Sequence, residues 1–85
     1  MKTGTTASGT YYLFNKKDQD MPIVFVHGVG LTHEIWQPQL EFFNYHSTLA
    51  YDILGHGKSS LENKEISFDD FSDQLIGLMD HLNIK

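Results

Sequence analysis

Cysteine and arginine are both absent from this sequence of 85 residues. Without cysteine there is no disulfide, no thiolate nucleophile and no thiolate metal site, although such a chain is compatible with any redox compartment. Eleven acidic residues stand against six lysines, which gives a formal charge of −5. Binders of the phosphate backbone carry clustered lysine and arginine, so the composition argues against a nucleic-acid partner.

Long apolar runs are also missing. None approaches the roughly 18 residues of a membrane span, and the first ten residues are small and polar, unlike a secretion signal. We therefore predict a cytoplasmic protein without a membrane partner. The two prolines, Pro22 and Pro38, are isolated, and no linker, low-complexity tract or repeat divides the chain. The sequence predicts a single unit over residues 1–85.

The first third of the chain predicts a hairpin and a buried strand. Thr3 to Ala7 and Thr10 to Phe14 favour β-structure and flank the turn signal Ser8-Gly9. Pro22 to His27 contains four consecutive apolar residues without alternation, which is typical of a strand covered on both faces of a parallel sheet.

A βαβ unit is predicted next. Apolar residues at near-helical spacing indicate a short helix from Trp36 to Phe43, in which Pro38 is tolerated if it lies in the first turn. Thr48 to Asp52 predicts another strand. Strands that alternate with helices imply a parallel sheet with right-handed crossovers, and hence the α/β class.

The last segment predicts a longer helix. Ser67 and Asp70 resemble a capping box at its start, and six apolar residues recur along one face, which we expect to pack on the core. These residues are Phe68, Phe71, Leu75, Leu78, Met79 and Leu82.

Two familiar ligand motifs fail on inspection. A phosphate-binding loop at Gly57-Lys58-Ser59 requires a glycine five residues before Gly57, where Asp52 stands. A zinc-protease motif beginning at His33-Glu34 requires a second histidine at the position of Gln37. The five histidines show no metal-ligand spacing. We therefore predict neither a metal nor a cofactor.

Two other motifs follow the two apolar strands. They are His27-Gly28-Val29-Gly30 and, 25 residues after His27, the segment Asp52-Ile53-Leu54-Gly55-His56-Gly57-Lys58-Ser59. In this order, and with a helix after them, they resemble the opening of an α/β-hydrolase, over a range from Tyr11 to Lys85. The resemblance implies an incomplete α/β-hydrolase sheet, which consists of the N-terminal hairpin, the βαβ unit and the following helix.

The resemblance also implies roles for the first motif. The backbone N–H of Val29 takes the position of an oxyanion-hole donor, and Gly28 and Gly30 shape the loop around it. Ester cleavage builds negative charge on the former carbonyl oxygen, and a preorganised N–H aimed at that oxygen lowers the barrier by about 3 to 4 kcal/mol.

Supporting roles fall to His27, Asp52, Gly55, Gly57 and Ser59. For Asp52 we prefer a structural role, in which the carboxylate binds N–H groups of the following turn, while general-base chemistry remains the alternative. His56 is not a candidate for the catalytic histidine, because this family places that residue far downstream, after the acid.

The nucleophile motif of this family, G-x-S-x-G, is found nowhere in the sequence. We therefore interpret residues 1–85 as the N-terminal part of an α/β-hydrolase domain, truncated before the nucleophile elbow and inactive alone.

The parent enzyme would be a serine hydrolase that acts on small carboxylic esters, thioesters or lactones. Similar epoxide hydrolases and haloalkane dehalogenases often carry proline in place of Gly30, so the HGVG form favours carboxylesterase, enol-lactonase or C–C bond hydrolase activity. The alternative is a non-catalytic module that associates with a partner, or with itself, through the exposed edge of the third strand.

Overall fold

The computed structural model describes residues 2–17, 21–59 and 68–84. These residues form one four-stranded sheet with helical segments packed on both faces. The elements in chain order are β1 (Lys2–Thr5), β2 (Tyr11–Asn15), β3 (Ile23–Val26), a 3₁₀ helix (His33–Trp36), α1 (Gln37–Phe42), β4 (Thr48–Tyr51) and α2 (Phe68–His81).

The strand order in the sheet is β1-β2-β4-β3. The pairs β1/β2 and β2/β4 are antiparallel, and β3/β4 is parallel, with Phe25 opposite Ala50. The parallel pairing predicted for the βαβ unit is therefore confirmed, and the predicted hairpin joins β4 in the antiparallel direction. β3 pairs with β4 alone among the described strands and lies at an edge of the sheet.

The hairpin forms as predicted, but its turn is wider than Ser8-Gly9. The Thr6 N–H donates to the Thr10 carbonyl oxygen, and the Gly9 N–H donates to the Thr6 carbonyl oxygen, both at 2.9 Å. The connection therefore extends from Thr6 to Thr10. β1 accordingly begins and ends earlier in the chain than the sequence indicated.

β4 lies at the centre of the core, and all four of its residues are buried. Leu49 and Tyr51 lie on the face that carries Leu78 of α2, where full burial of a large aliphatic side chain contributes about 1.5 to 3 kcal/mol. The buried residues of this core are Tyr12, Phe14, Leu49, Tyr51, Ile53 and Leu78.

The opposite face of the sheet is covered by the 3₁₀ helix and α1. The ring of Phe25 lies 5.0 Å from Trp36 and 6.3 Å from Phe43, measured between centroids, and Leu40 is buried. Pro38 lies in the first turn of α1, as predicted. The sequence pattern missed the 3₁₀ helix that precedes α1. Thr32 caps the start of this 3₁₀ helix, where its Oγ1 accepts the Glu34 N–H at 3.2 Å.

α2 packs on the first face with part of the predicted stripe. Leu78 is buried, and Phe71, Leu75 and Leu82 pack against the core, but Phe68 is 90% exposed. The prediction for Phe68 was wrong because α2 crosses the carboxyl edge of the sheet near Gln74, which places Phe68 beyond the strands. The proposed cap at Ser67 lies outside the described residues. No helix in the described ranges is both long and apolar enough to cross a bilayer.

Candidate functional site

Two loops meet at one edge of the sheet. The first, which we call the β3 loop, comprises residues 27–32, and the second, the β4 loop, comprises residues 52–59. Because β3 and β4 are parallel neighbours, their carboxyl ends lie side by side. The sequence motifs 25 residues apart are thereby brought into direct contact.

The carboxylate of Asp52 joins the β4 loop to the start of the 3₁₀ helix, which follows the β3 loop. Its side chain has no exposure to solvent. Oδ1 accepts the His33 N–H at 2.6 Å and the proton of His33 Nδ1 at 2.8 Å, and Oδ2 accepts the Lys58 N–H at 2.9 Å. Every one of these donors comes from a turn or helix start next to the site, so the carboxylate fixes the start of the 3₁₀ helix and the end of the β4 loop.

The pKa of Asp52 lies below its ordinary value. Burial is the largest influence and raises the pKa, but the backbone hydrogen bonds from Lys58 and His33, the side-chain hydrogen bond from His33 and the charge of His33 together outweigh it. The carboxylate is therefore ionised at neutral pH. With both oxygens bound and neither exposed, this geometry favours the structural role over general-base chemistry.

Ser59 fastens the end of the β4 loop to the sheet. Its Oγ–H donates to the Asp52 carbonyl oxygen at 2.6 Å, and the same Oγ accepts the Tyr11 N–H at 2.9 Å. Ser59 is buried and its hydroxyl group makes two hydrogen bonds. It therefore supports the loop and lacks the surroundings of a nucleophilic serine.

Gln74 of α2 is a supporting residue that sequence reasoning missed. Its Oε1 accepts the Leu54 N–H at 3.0 Å, and its Nε2 donates to the Asp52 carbonyl oxygen at 3.0 Å and to Thr10 Oγ1 at 3.2 Å. Gln74 is buried. The available signal was a polar residue between Phe71 and Leu78, where the helical period calls for an apolar one.

His27 is the first residue of the β3 loop and is buried. Its Nε2 accepts the Ile53 N–H at 3.0 Å, so this nitrogen carries no proton, and Nδ1–H donates to the Gly28 carbonyl oxygen at 2.8 Å. The 3.8 Å between His27 Nε2 and Asp52 Oδ1 is therefore not an ion pair. A neutral imidazole already satisfies both of its polar atoms.

His56 makes the reciprocal contact, from the β4 loop to a backbone N–H of the β3 loop. Its Nε2 accepts the Gly30 N–H at 2.9 Å, and its Nδ1 lies 2.9 Å from the Leu54 carbonyl oxygen. The acceptor role of Nε2 again places the ring proton on Nδ1. The rings of His27 and His56 lie 5.6 Å apart between centroids.

The N–H of Val29 is available at the surface. The residue is 80% exposed, and within the described part of the chain its N–H makes no hydrogen bond. The neighbouring Leu31 N–H donates to the Gly28 carbonyl oxygen at 3.1 Å, and the Gly30 N–H binds His56. The bonds on either side fix the loop, while the Val29 donor is left unengaged.

The two glycines of the β3 loop are not equivalent. Gly30 has a φ of 88°, in the left-handed region that favours glycine. Gly28 has no positive φ, and a Cβ built there would meet only Leu31 Cδ1, at an ordinary 3.8 Å. The backbone therefore requires glycine at Gly30, whereas neither a positive φ nor a close contact requires it at Gly28.

We expect Gly57→Ala to destabilise the chain by about 2 to 4 kcal/mol. Gly57 has a φ of 49°, and an added Cβ would overlap the buried Asp52 carboxylate, including Oδ1 at 2.7 Å. The measurement is urea unfolding followed by circular dichroism. Gly77→Ala is the matched control, because Gly77 lies in α2 with nothing within 4 Å, and alanine there should stabilise the helix by about 0.5 to 1 kcal/mol. Equal midpoints for both variants would contradict this account.

No group of three or more histidine, aspartate or glutamate side chains in residues 2–17, 21–59 and 68–84 is placed to hold a metal ion. Asp52, His27 and His33 come close to one another, but both carboxylate oxygens of Asp52 and both ring nitrogens of His27 are already engaged with protein donors and acceptors.

Comparison with known proteins identifies the family. The sequence profile described as "Alpha/beta hydrolase family" matches residues 23–83, which include the β3 loop, the β4 loop and α2. This chain therefore belongs to the α/β-hydrolase family.

Three of the similar curated proteins come from bacteria. The chain is 38% identical over 64 residues to (E)-2-((N-methylformamido)methylene)succinate hydrolase of Acinetobacter baylyi, a match that covers 74% of this chain and 24% of that protein. It is 33% identical over 84 residues to non-heme chloroperoxidase CPO-A1 of Kitasatospora aureofaciens, covering 95% and 30%. It is also 32% identical over 65 residues to 3-oxoadipate enol-lactonase 1 of Acinetobacter baylyi, covering 74% and 24%. The matched region is thus about a quarter to a third of each relative.

Solved structures share the fold. A hydrolase from Pseudomonas aeruginosa PA01 superposes with a TM-score of 0.81 at 24% identity, over 96% of this chain and 32% of that one. MGS-M2, an alpha/beta hydrolase enzyme from a Medee basin deep-sea metagenome library, gives a TM-score of 0.77 at 22% identity, over 95% and 31%. The α/β-hydrolase fold predicted from the two motifs is confirmed, in the form of a partial sheet.

Proposed function

We propose that these 85 residues provide the oxyanion-hole loop of a serine hydrolase that cleaves small carboxylic esters, thioesters or lactones. In this proposal the Val29 N–H donates to the carbonyl oxygen as it becomes an oxyanion, and the nucleophile, acid and catalytic histidine lie outside the sequence. The observation that carries the proposal is the exposed, unengaged Val29 N–H on a loop in which the Gly28 carbonyl oxygen and the Gly30 N–H, on either side of it, are bound.

The relatives support the choice of bond. Two of the similar proteins carry the names hydrolase and enol-lactonase, and lactone opening develops the same oxyanion as ester cleavage. The supporting shell of Asp52, Ser59 and Gln74 suits this role, because a donor is effective only when its position is fixed before charge develops.

A hybrid enzyme tests the proposal. The 64-residue segment of the Acinetobacter hydrolase that matches this chain is replaced by the corresponding residues of this sequence. We expect the hybrid to hydrolyse the parent's own substrate, because the replacement supplies an equivalent loop on an equivalent sheet. The isolated 85-residue chain should show no turnover of p-nitrophenyl acetate above buffer.

Two outcomes would contradict the proposal. A hybrid that folds by circular dichroism but lacks activity would mean that this loop does not present a usable donor. Saturable p-nitrophenyl acetate turnover by the isolated chain would place a nucleophile among these 85 residues, against the environment described for Ser59.

A second function is favoured by the sheet edge. β3 pairs on one side only among the described strands, and Val26 at its end is 47% exposed. Unpaired apolar edges are templates for pairing with another chain. The alternative proposal is therefore a non-catalytic module that self-associates through β3.

Light scattering after size-exclusion chromatography tests this alternative. We expect a concentration-dependent dimer that Val26→Lys weakens, because a charge at the edge opposes strand pairing. Ile76→Lys is the matched control, since Ile76 is equally apolar and 57% exposed, but lies on α2. A monomer at all concentrations, or equal weakening by both variants, would exclude the edge as the interface.

A further inference from the structure

We propose that His56 is a positioning residue for the β3 loop, which its unprotonated Nε2 holds through the Gly30 N–H and releases when the imidazole is protonated. The inference rests on the proposed function in one respect: the purpose of the positioning is to keep the adjacent Val29 N–H aimed at a substrate oxygen. The hydrogen bond itself is independent of any reaction.

The geometry makes His56 a bridge between two loops. Nδ1–H is held by the Leu54 carbonyl oxygen of its own loop at 2.9 Å, and Nε2 accepts Gly30 N–H of the other loop at 2.9 Å. One ring nitrogen thus fixes the orientation of the imidazole, and the other holds a residue 26 positions away in sequence. A single tautomer satisfies both contacts.

Residues 28–30, which His56 binds through Gly30, have few other contacts with the rest of the described chain. Gly28, Val29 and Gly30 are all exposed, so side-chain packing does not fix them. Within the described residues, the Gly30 to His56 hydrogen bond is the one that joins residues 28–30 to another part of the chain. Gly30 also has a φ of 88°, and a glycine in this region has many alternative conformations once its N–H is released.

Protonation removes the contact. A charged imidazole has two N–H donors and no acceptor, so a proton on Nε2 would face the Gly30 N–H, donor against donor. The ionisable group in contact with the ring is His27 of the β3 loop, at 5.6 Å between centroids. Asp52 and Lys58 belong to the same loop as His56, and His33 of the 3₁₀ helix binds Asp52. α2 meets this loop through the uncharged Gln74.

Nuclear magnetic resonance on the labelled 85-residue chain tests the proposal without any activity. At about pH 8, where histidine imidazoles are neutral, we expect a coupling through the hydrogen bond between the Gly30 amide and His56 Nε2. The same spectrum should give Nδ1 as the protonated ring nitrogen. Absence of the coupling together with a protonated Nε2 would overturn the proposal, whatever any variant does.

Variants add a second readout. His56→Leu should accelerate hydrogen exchange of the Gly30 amide about five- to tenfold, the size expected from loss of one ordinary hydrogen bond. His56→Gln should recover part of the protection, because its amide oxygen is an acceptor. His46→Leu is the matched control, because His46 is exposed and lies after α1, and it should leave Gly30 unchanged. Equal exchange of Gly30 in wild type and His56→Leu would overturn the proposal.

A pH profile separates positioning from passive support. As the pH is lowered from about 8 to about 5, the amide resonances of Val29 and Gly30 should shift together with the titration of the His56 ring, and this step should vanish in His56→Gln. Amide resonances of Val29 and Gly30 that do not change when the His56 ring is protonated would overturn the proposal. An inactive hybrid enzyme with the coupling intact would instead reject the proposed function and leave the positioning contact in place.

Discussion

Replacing Asp52 by alanine is expected to lower the free energy of unfolding by about 3 to 5 kcal/mol at neutral pH. The carboxylate accepts three hydrogen bonds in a site without solvent exposure. Hydrogen bonds to a charged group contribute about 1.5 to 3 kcal/mol each, and donors left unpaired carry a further cost. Such contributions are not additive, and removal of one partner from a buried, hydrogen-bonded charged pair costs about 3 to 5 kcal/mol in all. This loss is a large share of the roughly 5 to 15 kcal/mol that is typical of whole domains.

The same residue gives the loss a defined pH dependence. Because the pKa of Asp52 is lowered in the folded chain, its ionised form stabilises the fold at any pH above the unfolded carboxyl pKa of about 3.9. This stabilisation disappears as the pH falls through the folded pKa. The difference between wild type and Asp52→Ala should therefore be largest near neutrality and shrink below about pH 4.

Urea unfolding at several pH values measures both effects. Asp73→Ala is the control, because Asp73 is an exposed aspartate on α2 and surface substitutions usually change stability by no more than about 0.5 kcal/mol. The loss of stability in Asp52→Asn should lie between those of Asp52→Ala and Asp73→Ala. The amide oxygen of asparagine still accepts hydrogen bonds, while its NH₂ group faces a donor. A loss of under about 1 kcal/mol in Asp52→Ala would mean that the loops are held by other contacts.

Val29→Pro in the hybrid hydrolase is expected to lower kcat by about 10² to 10³ with a smaller change in KM. Proline removes the backbone N–H, and loss of one oxyanion-hole donor has an effect of this size. The substitution is well matched to the site, because the Val29 N–H bonds to nothing else in the described residues and the side chain is 80% exposed. The effect should therefore arise in the transition state and not in the fold.

Val29→Ala is the companion variant for this measurement, since it removes the side chain and keeps the N–H. Its kcat should stay within about threefold of the unmodified hybrid. Thermal unfolding of all three proteins shows whether the proline has disturbed the loop more widely. Equal activity of the proline and alanine variants would rule out the Val29 N–H as an oxyanion donor.

Much of the architecture was readable because it depends on local pattern. The apolar run in β3, the hairpin near Gly9 and the tolerance of Pro38 at the start of α1 each follow from neighbouring residues alone. The family resemblance added the expected order of elements. The meeting of the two glycine-containing motifs then followed from parallel strands that end at one edge.

The supporting contacts of the site were not readable, because they join residues that are far apart in the chain. His33 was considered only as a failed zinc ligand, yet it binds Asp52, 19 residues away. His56 was set aside on grounds of family order, yet it holds Gly30. Phe68 was placed in the core because a helical period records which face a residue shares, but not where the helix leaves the sheet.

The central position of β4 also determines when the sheet becomes able to form during synthesis. β2 and β3 both pair with β4 and not with each other, and an isolated two-stranded hairpin is marginal in water. Until Tyr51 has left the ribosome, β3 has no strand to pair with among the described strands, and its apolar residues remain exposed. Slow translation upstream of Thr48 should therefore prolong the interval in which a nascent chain depends on chaperones, whereas during a pause after Tyr51 β3 can already pair with β4.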